Sequence, residues 1–211
     1  MFESEILFSY PFLGLVILCI AIYEAVNITL YHRNKQPKYK LIGLSGKIGV
    51  GKDTAAQYIM KQWPQYKSVP FADAVKRVVA IMTRTSYESQ FTLEGKARIP
   101  PGCSESVGRY QQIIGQFGRE NFCDNIWINI ALGHPAEYKI IPDVRHPNEA
   151  EAICKAGGIV IRIIRDNSTP YSGRDPAHIS ETALDKYDFN NIINNSGSLE
   201  SFESAILNML L

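Results

Sequence analysis

"GLSGKIGVGKDTAA", Gly43 to Ala56, departs by one residue from a phosphate-binding loop. The pattern G-x-x-x-x-G-K-[ST] puts Gly46, Gly51 and Lys52 in register. Asp53 then stands where a hydroxyl normally meets the metal, and Thr54 comes one place late. Gly46, Gly49 and Gly51 let the backbone around Lys47 bend so that its N–H groups point at phosphate oxygens. A helix opening near Lys52 adds its positive end, and the lysine supplies a mobile charge for terminal phosphates. Asp53 leaves this role intact, because a carboxylate holds Mg²⁺ directly or through water while Thr54 reaches a phosphate. A glycine-rich turn without a ligand is the structural alternative. The expectation is a nucleotide loop formed by Gly46, Lys47, Gly49, Gly51, Lys52, Asp53 and Thr54.

Working outward, "KYKLIGLSG" reads as a buried strand entering the loop and "DTAAQYIMKQW" as the helix leaving it. "YKSVPFA", "YKIIPDV", "GIVIRIIRD" and "FNNIINN" read as four more strands. Between them lie helical "DAVKRVVAIM" with Asp73 as N-cap, "RYQQIIGQFGRENFCDNIWINIAL", and "PNEAEAICKAG" begun by Pro147 and stopped at Gly157-Gly158. "SLESFESAILNMLL" closes the chain, capped by Ser198, and Thr83 to Gly108 is irregular. Alternating strands and helices predict an α/β fold with a five-stranded parallel sheet. Its ligands belong beyond the C-terminal strand ends, where the loops after three of these strands gather.

The 211 residues suit one domain with a real core, and a net charge of +1 gives no electrostatic footprint for nucleic acid. Four scattered cysteines without a C-x-x-C pair argue against zinc or a disulfide framework and fit a reducing compartment. "FLGLVILCIAIYEAVNITLY", Phe12 to Tyr31, is mostly apolar over about one membrane span. Arg33, Lys35, Lys38 and Lys40 follow it, which favours a cytosolic remainder. Glu24 weakens a transmembrane reading, costing about 2.5–3.5 kcal/mol at mid-membrane. The alternative is an accessory hydrophobic helix. Gln36-Pro37 marks a linker, so residues 1–35 form an N-terminal hydrophobic segment with a basic flank and residues 36–211 the main domain.

Four groups of charged residues are candidates for chemistry. In "IIPDVRHPNE", Asp143 sits at a strand tip where a carboxylate can orient water around Mg²⁺, and Arg145 would face phosphate or base. An N-cap for the following helix is the structural alternative for Asp143, and His146 reads as a solvated turn residue. Arg84, Lys96, Arg98, Arg109 and Arg119 are candidates to grip a second, phosphate-bearing substrate, Arg109 and Arg119 foremost, with Gln111 and Gln112 reading a base edge. Arg109 and Arg119 lie about 80° apart on a helix and could border one cleft. Arg165 and Arg174 flank the polar loop after the fourth strand, from where they could stabilise a transferring phosphate. Arg162 is expected to point out of the sheet. His178 and Glu181 could share one helical turn, with Ser180 or Asp175 as its cap.

Together, "GLSGKIGVGKDTAA", "PFADAVKR", "RYQQIIGQFGRE", "IPDVRHPNEAEAI", "HISETALD" and "IINNSGSLESFESAI" resemble the phage- and virus-type deoxynucleoside monophosphate kinases, from about Lys40 onward. The resemblance implies the P-loop three-layer sandwich and γ-phosphoryl transfer from ATP, with Mg²⁺, to a deoxynucleoside monophosphate. It implies that Lys52 and the loop hold ATP, that Asp143 and Arg145 belong to the site, and that Arg109 and Gln112 lie near the acceptor. Gly115-Gln116 stands where that family usually has Gly-Thr, and the hydrophobic N-terminus is no part of the pattern. Kinases of phosphomevalonate or dephospho-coenzyme A share the loop and an arginine-lined cleft. A membrane-tethered nucleotide-binding protein without catalysis is the reading from another class.

Overall fold

The computed structural model of the protein describes residues 14–23, 36–166, 175 and 177–211. Residues 14–23 are helical and exposed, and no helix among the described residues is long and apolar enough to cross a membrane. The anchor expected over 12–31 gains no support from them, and its residues 12–13 and 24–31 lie outside the described part. The chain divides into two units, Met1–Gln36 and Pro37–Leu211. The second unit carries the sheet.

Strands β1 (Leu41–Ser45), β2 (Tyr66–Ser68), β3 (Tyr138–Val144), β4 (Ile159–Ile164) and β5 (Ile192–Asn194) pair in the order β2-β3-β1-β4-β5, parallel throughout. These are the five strands expected. The helices are α1 (Lys52–Gln62), α2 (Asp73–Thr83), α3 (Leu93–Ala97), α4 (Val107–Asn121), α5 (Ile126–Leu132), α6 (Pro147–Lys155), α7 (Ile179–Thr182) and α8 (Leu199–Leu210).

Period-two side chains split the core into two layers. Ile42 and Leu44 of β1, with Ile161 and Ile163 of β4, pack against Ala55 and Ile59 of α1 and Phe202 and Ile206 of α8. Leu41 and Val160 face the other way, toward Val75 and Val79 of α2, Trp127 and Ile128 of α5, and Ile153 of α6. A sheet covered on both faces follows, and β1 lies at its centre. Its loop therefore emerges between the ends of β3 and β4.

β3 carries a proline at 142 although it lies between β1 and β2. A proline cannot donate to a ladder and is tolerated inside a sheet at a bulge. The register shows one: Gly43 pairs with Ile141, but Ser45 pairs with Val144. The extra residue turns the strand just where Asp143 leaves it.

Three local expectations change. Asp73 is the first helical residue of α2, and the preceding Ala72 is its N-cap. Asp73 is engaged elsewhere, with Arg77 at 2.9 Å and with the Tyr87 hydroxyl. The helical run expected from Arg109 to Leu132 breaks into α4 and α5 around Cys123–Asn125. There Asn148 donates to Asp124 Oδ2 at 2.9 Å and to Asn125 Oδ1 at 3.0 Å, a side-chain network that competes with helix continuation. The irregular segment after Thr83 contains a 3₁₀ turn, Glu88–Phe91, and α3, whose cap Thr92 accepts from Gly95 N at 3.0 Å. Ser198 caps α8 as expected, accepting from Ser201 N at 3.2 Å.

Candidate active site

The glycine loop is held from two strands. At Gly46 (φ 149°) a Cβ would lie 2.4 Å from the Ile163 carbonyl oxygen of β4. At Gly51 (φ 102°), the N-cap of α1, it would lie 2.4 Å from Asn195 Nδ2, just past β5. A side chain at either place meets both steric clash and left-handed backbone strain.

Lys52 Nζ donates to the carbonyls of Gly46 at 2.8 Å and Lys47 at 2.7 Å, so the lysine folds over its own loop. Burial, then the nearby Arg145 cation, lowers its pKa to about 7, against the opposing pull of Asp53, Glu181 and Asp143. That list places the loop lysine within electrostatic reach of the β3 tip. Asp53 and Thr54 are exposed in the first turn of α1. The Lys47 side chain is bound elsewhere: it donates to the Glu181 carbonyl at 2.6 Å and pairs with Asp185.

Around the β3 tip lies a cleft partly open to solvent. The loop after β2, helix α4 and the β3–α6 turn form its walls, and Arg119, Asp143, Arg145, His146 and Glu149 line it. Asp143 accepts from the backbone N–H groups of Phe71 at 2.8 Å and Ala72 at 2.9 Å. Its carboxylate thus caps α2 from another strand, not α6 as the sequence alternative supposed. Arg145 pairs with Glu181 Oε1 at 2.6 Å and donates to the Ser180 carbonyl at 3.2 Å.

Arg119 is bound on one side by Glu149, and both side chains are buried, 11% and 2% exposed. Its Nη1 is buried with no hydrogen-bond partner. Glu149 Oε2 also accepts from Arg145 N at 2.6 Å and His146 N at 3.1 Å. Burial raises the Glu149 pKa to about 7, opposed by Arg119 and these backbone donors. His146 is no solvated turn residue. It is half-buried in the cleft, and burial together with the Arg119 and Arg145 cations lowers its pKa to about 3.

Other expected residues lie apart from the cleft. The turn of α4 that aims Arg119 inward sends Arg109 to Asp175, with Nη1 3.6 Å from Oδ2, so the two arginines do not share the cleft wall. Gln112 lines the cleft, yet its amide is engaged: Nε2 donates to the Asp175 carbonyl at 3.0 Å and Oε1 accepts from Asp175 N at 3.1 Å. Lys96, in α3, and the exposed Arg165, after β4, are not among the lining residues. Arg174 lies outside the described residues. Arg162 turns inward instead of out of the sheet, donating to Ser45 Oγ at 3.1 Å and lying 5.2 Å from the centroid of the Phe189 ring. His178 caps α7 by accepting from Ser180 N at 3.1 Å, while Glu181 belongs to Arg145.

Sequence reasoning missed Glu149 and Trp127. Glu149 had a signal, since an acid three residues into a helix that opens "HPNE" is the second half of a capping box. Trp127 had none. Its Nε1 donates to the Gly115 carbonyl at 2.8 Å and its ring rests on Gly118, where a Cβ would lie 2.3 Å from Cζ2.

A parallel sheet whose central strand feeds a glycine loop and helix is the arrangement of a P-loop fold, and here a cleft lined by two arginines and two carboxylates lies at the tip of the neighbouring strand. Residues 106–206 match the family model of deoxynucleotide monophosphate kinase. Over those residues, a little under half of its length, the chain is similar to that family. It is 28% identical over 190 residues to a protein of Acanthamoeba polyphaga mimivirus provisionally named a deoxynucleotide monophosphate kinase, covering 79% of this chain and 94% of the relative. It is 36% identical over 113 residues to the deoxynucleotide monophosphate kinase of Enterobacteria phage T4, covering 50% of this chain and 45% of that protein.

Proposed function

We propose that the protein transfers the γ-phosphoryl group of ATP to a deoxynucleoside monophosphate, giving the diphosphate. One observation carries this reading: Arg119 lines the cleft with a buried Nη1 that has no partner, and two other lining residues, Asp143 and Arg145, lie within electrostatic reach of the loop lysine. A buried unmet donor costs about 1–3 kcal/mol, more on a charged group, and a phosphate oxygen would relieve it.

In this reading the loop from Gly46 to Thr54 holds the ATP phosphates. Lys52, already turned over the loop, moves from its carbonyl partners onto the terminal phosphates. Arg119 grips the acceptor phosphate, and Arg145 lies between the two sites to meet the group in transfer. Such chemistry needs positioning and charge neutralisation more than a strong base. Lys96, Arg109 and Arg165 do not line the cleft and are given no step in this reading.

The residues present also fit Mg²⁺. No group of three or more His, Cys, Asp or Glu side chains forms a metal cage among the described residues. Mg²⁺ in such sites is usually held by one or two carboxylates plus substrate phosphates. Asp53 would hold it at the loop, and Asp143 through water, because both its oxygens already accept backbone N–H groups. When bound, the ion neutralises charge on the phosphates.

A coupled ADP-release assay over deoxy- and ribonucleoside monophosphates, phosphomevalonate and dephospho-coenzyme A tests the proposal. Turnover with a deoxynucleoside monophosphate is expected. Turnover confined to another acceptor, or ATP binding with none consumed, would overturn it. A membrane tether through residues 12–31, leaving residues 36–211 in the cytosol, rests on the apolar run and its basic flank. Full release of the protein by alkaline wash would remove that reading.

A further inference from the structure

Glu149 does more than a capping box requires. A capping carboxylate reaches back to the backbone N–H groups at its own helix start. Here Oε2 does that, toward Arg145 N at 2.6 Å and His146 N at 3.1 Å, while Oε1 is spent on Arg119 Nη2 from a different helix. The result is a planar guanidinium tethered through Nη2, with Nη1 buried and unpartnered, on a side chain that lines the cleft. A long arginine side chain otherwise carries large rotamer freedom, and a fixed fork loses less on gripping a phosphate. The same carboxylate pins the turn from which Arg145 and His146 reach the cleft.

We propose that Glu149 is a positioning residue for the acceptor phosphate: from one buried carboxylate it holds Arg119 in the cleft wall with a second guanidinium nitrogen unspent, and sets the backbone that displays Arg145 and His146. The inference rests on the proposed function. It places Glu149 one step behind the phosphate, acting through Arg119 and not on substrate.

The experiment compares wild type with Glu149→Gln, Arg119→Ala and the double variant, in steady-state kinetics with each substrate varied in turn. For Glu149→Gln the acceptor KM is expected to rise about 10-fold or more while the ATP KM stays within about two-fold. Coupling through one guanidinium predicts that the double variant is no worse than Arg119→Ala alone, within about two-fold. A purely structural role would weaken both substrates together and add to the Arg119 effect. An unchanged acceptor KM, or additive losses, would overturn the inference while leaving the kinase reading intact. A wild-type protein that phosphorylates no monophosphate overturns both. Should Glu149→Gln fail to fold, Arg119→Lys decides. A lysine keeps the charge but lacks the fork that meets Glu149 and a phosphate at once, so the acceptor KM should again rise about 10-fold, and an unchanged value would sink the idea.

Discussion

Asn195, one residue beyond β5, donates its side-chain amide to the Val50 carbonyl at 2.8 Å and so ties the outermost strand to the glycine loop. The same Nδ2 atom occupies the space a side chain on Gly51 would need. The loop's shape is therefore set by the edge of the sheet as well as by its own glycines.

Asn195→Ala should loosen the loop without unfolding the protein. Loss of one hydrogen bond predicts about 1 kcal/mol of stability. A raised ATP KM with an unaltered acceptor KM is the expected kinetic signature. An acceptor-side effect of equal size would show that the bond does not act locally.

Lys52→Ala should abolish turnover, by a factor of about 100 or more, because electrostatic stabilisation of transferring charge is lost. The circular dichroism spectrum should remain that of wild type. An undiminished rate would remove the loop from the chemistry.

Lys52 also predicts a pH dependence. Its folded pKa is about 7 against an ordinary 10.5, so between these values the unfolded chain binds more protons and stability rises with pH. Below pH 7 two other groups oppose each other. His146, lowered to about 3 from 6.5, favours the folded state as pH rises through its window. Glu149, raised to about 7 from 4.5, does the reverse. The melting temperature should climb from pH 7 to pH 10 in wild type and stay level in Lys52→Met. A level wild-type curve would mean that the lysine keeps its proton.

Asp143→Ala removes the acceptor of two backbone N–H groups at the start of α2. Loss of a capping carboxylate predicts a cost of about 1–2 kcal/mol, read as a lower midpoint in urea. Activity should fall further than stability explains, since the cleft wall at Phe71–Ala72 moves with it. Asp143→Asn should recover most of the stability and less of the rate.

The β1 strand, its glycine turn and α1 were legible because backbone conformation there is dictated locally by glycine and by apolar periodicity. All five strands were legible for the same reason. Partnerships made across the sheet were not. Asp143 caps a helix 70 residues earlier in the chain, Glu181 answers Arg145, and Gln112 grips the backbone at Asp175, and no local pattern encodes such pairings. The break between α4 and α5 escaped notice because apolar spacing continues through Phe122 and Ile126. Asn148, which stabilises the break, lies on another helix. Arg162 was misjudged because strand alternation gives its face of the sheet but not what covers that face.

The seating of Trp127 on Gly118 has a consequence for engineering. The indole fits only where α4 offers bare backbone, so even one methyl at position 118 would push the ring away from the Gly115 carbonyl and reshape the cleft wall that Trp127 forms. Positions 118 and 127 are therefore best varied together, since either changed alone leaves a hole or a collision.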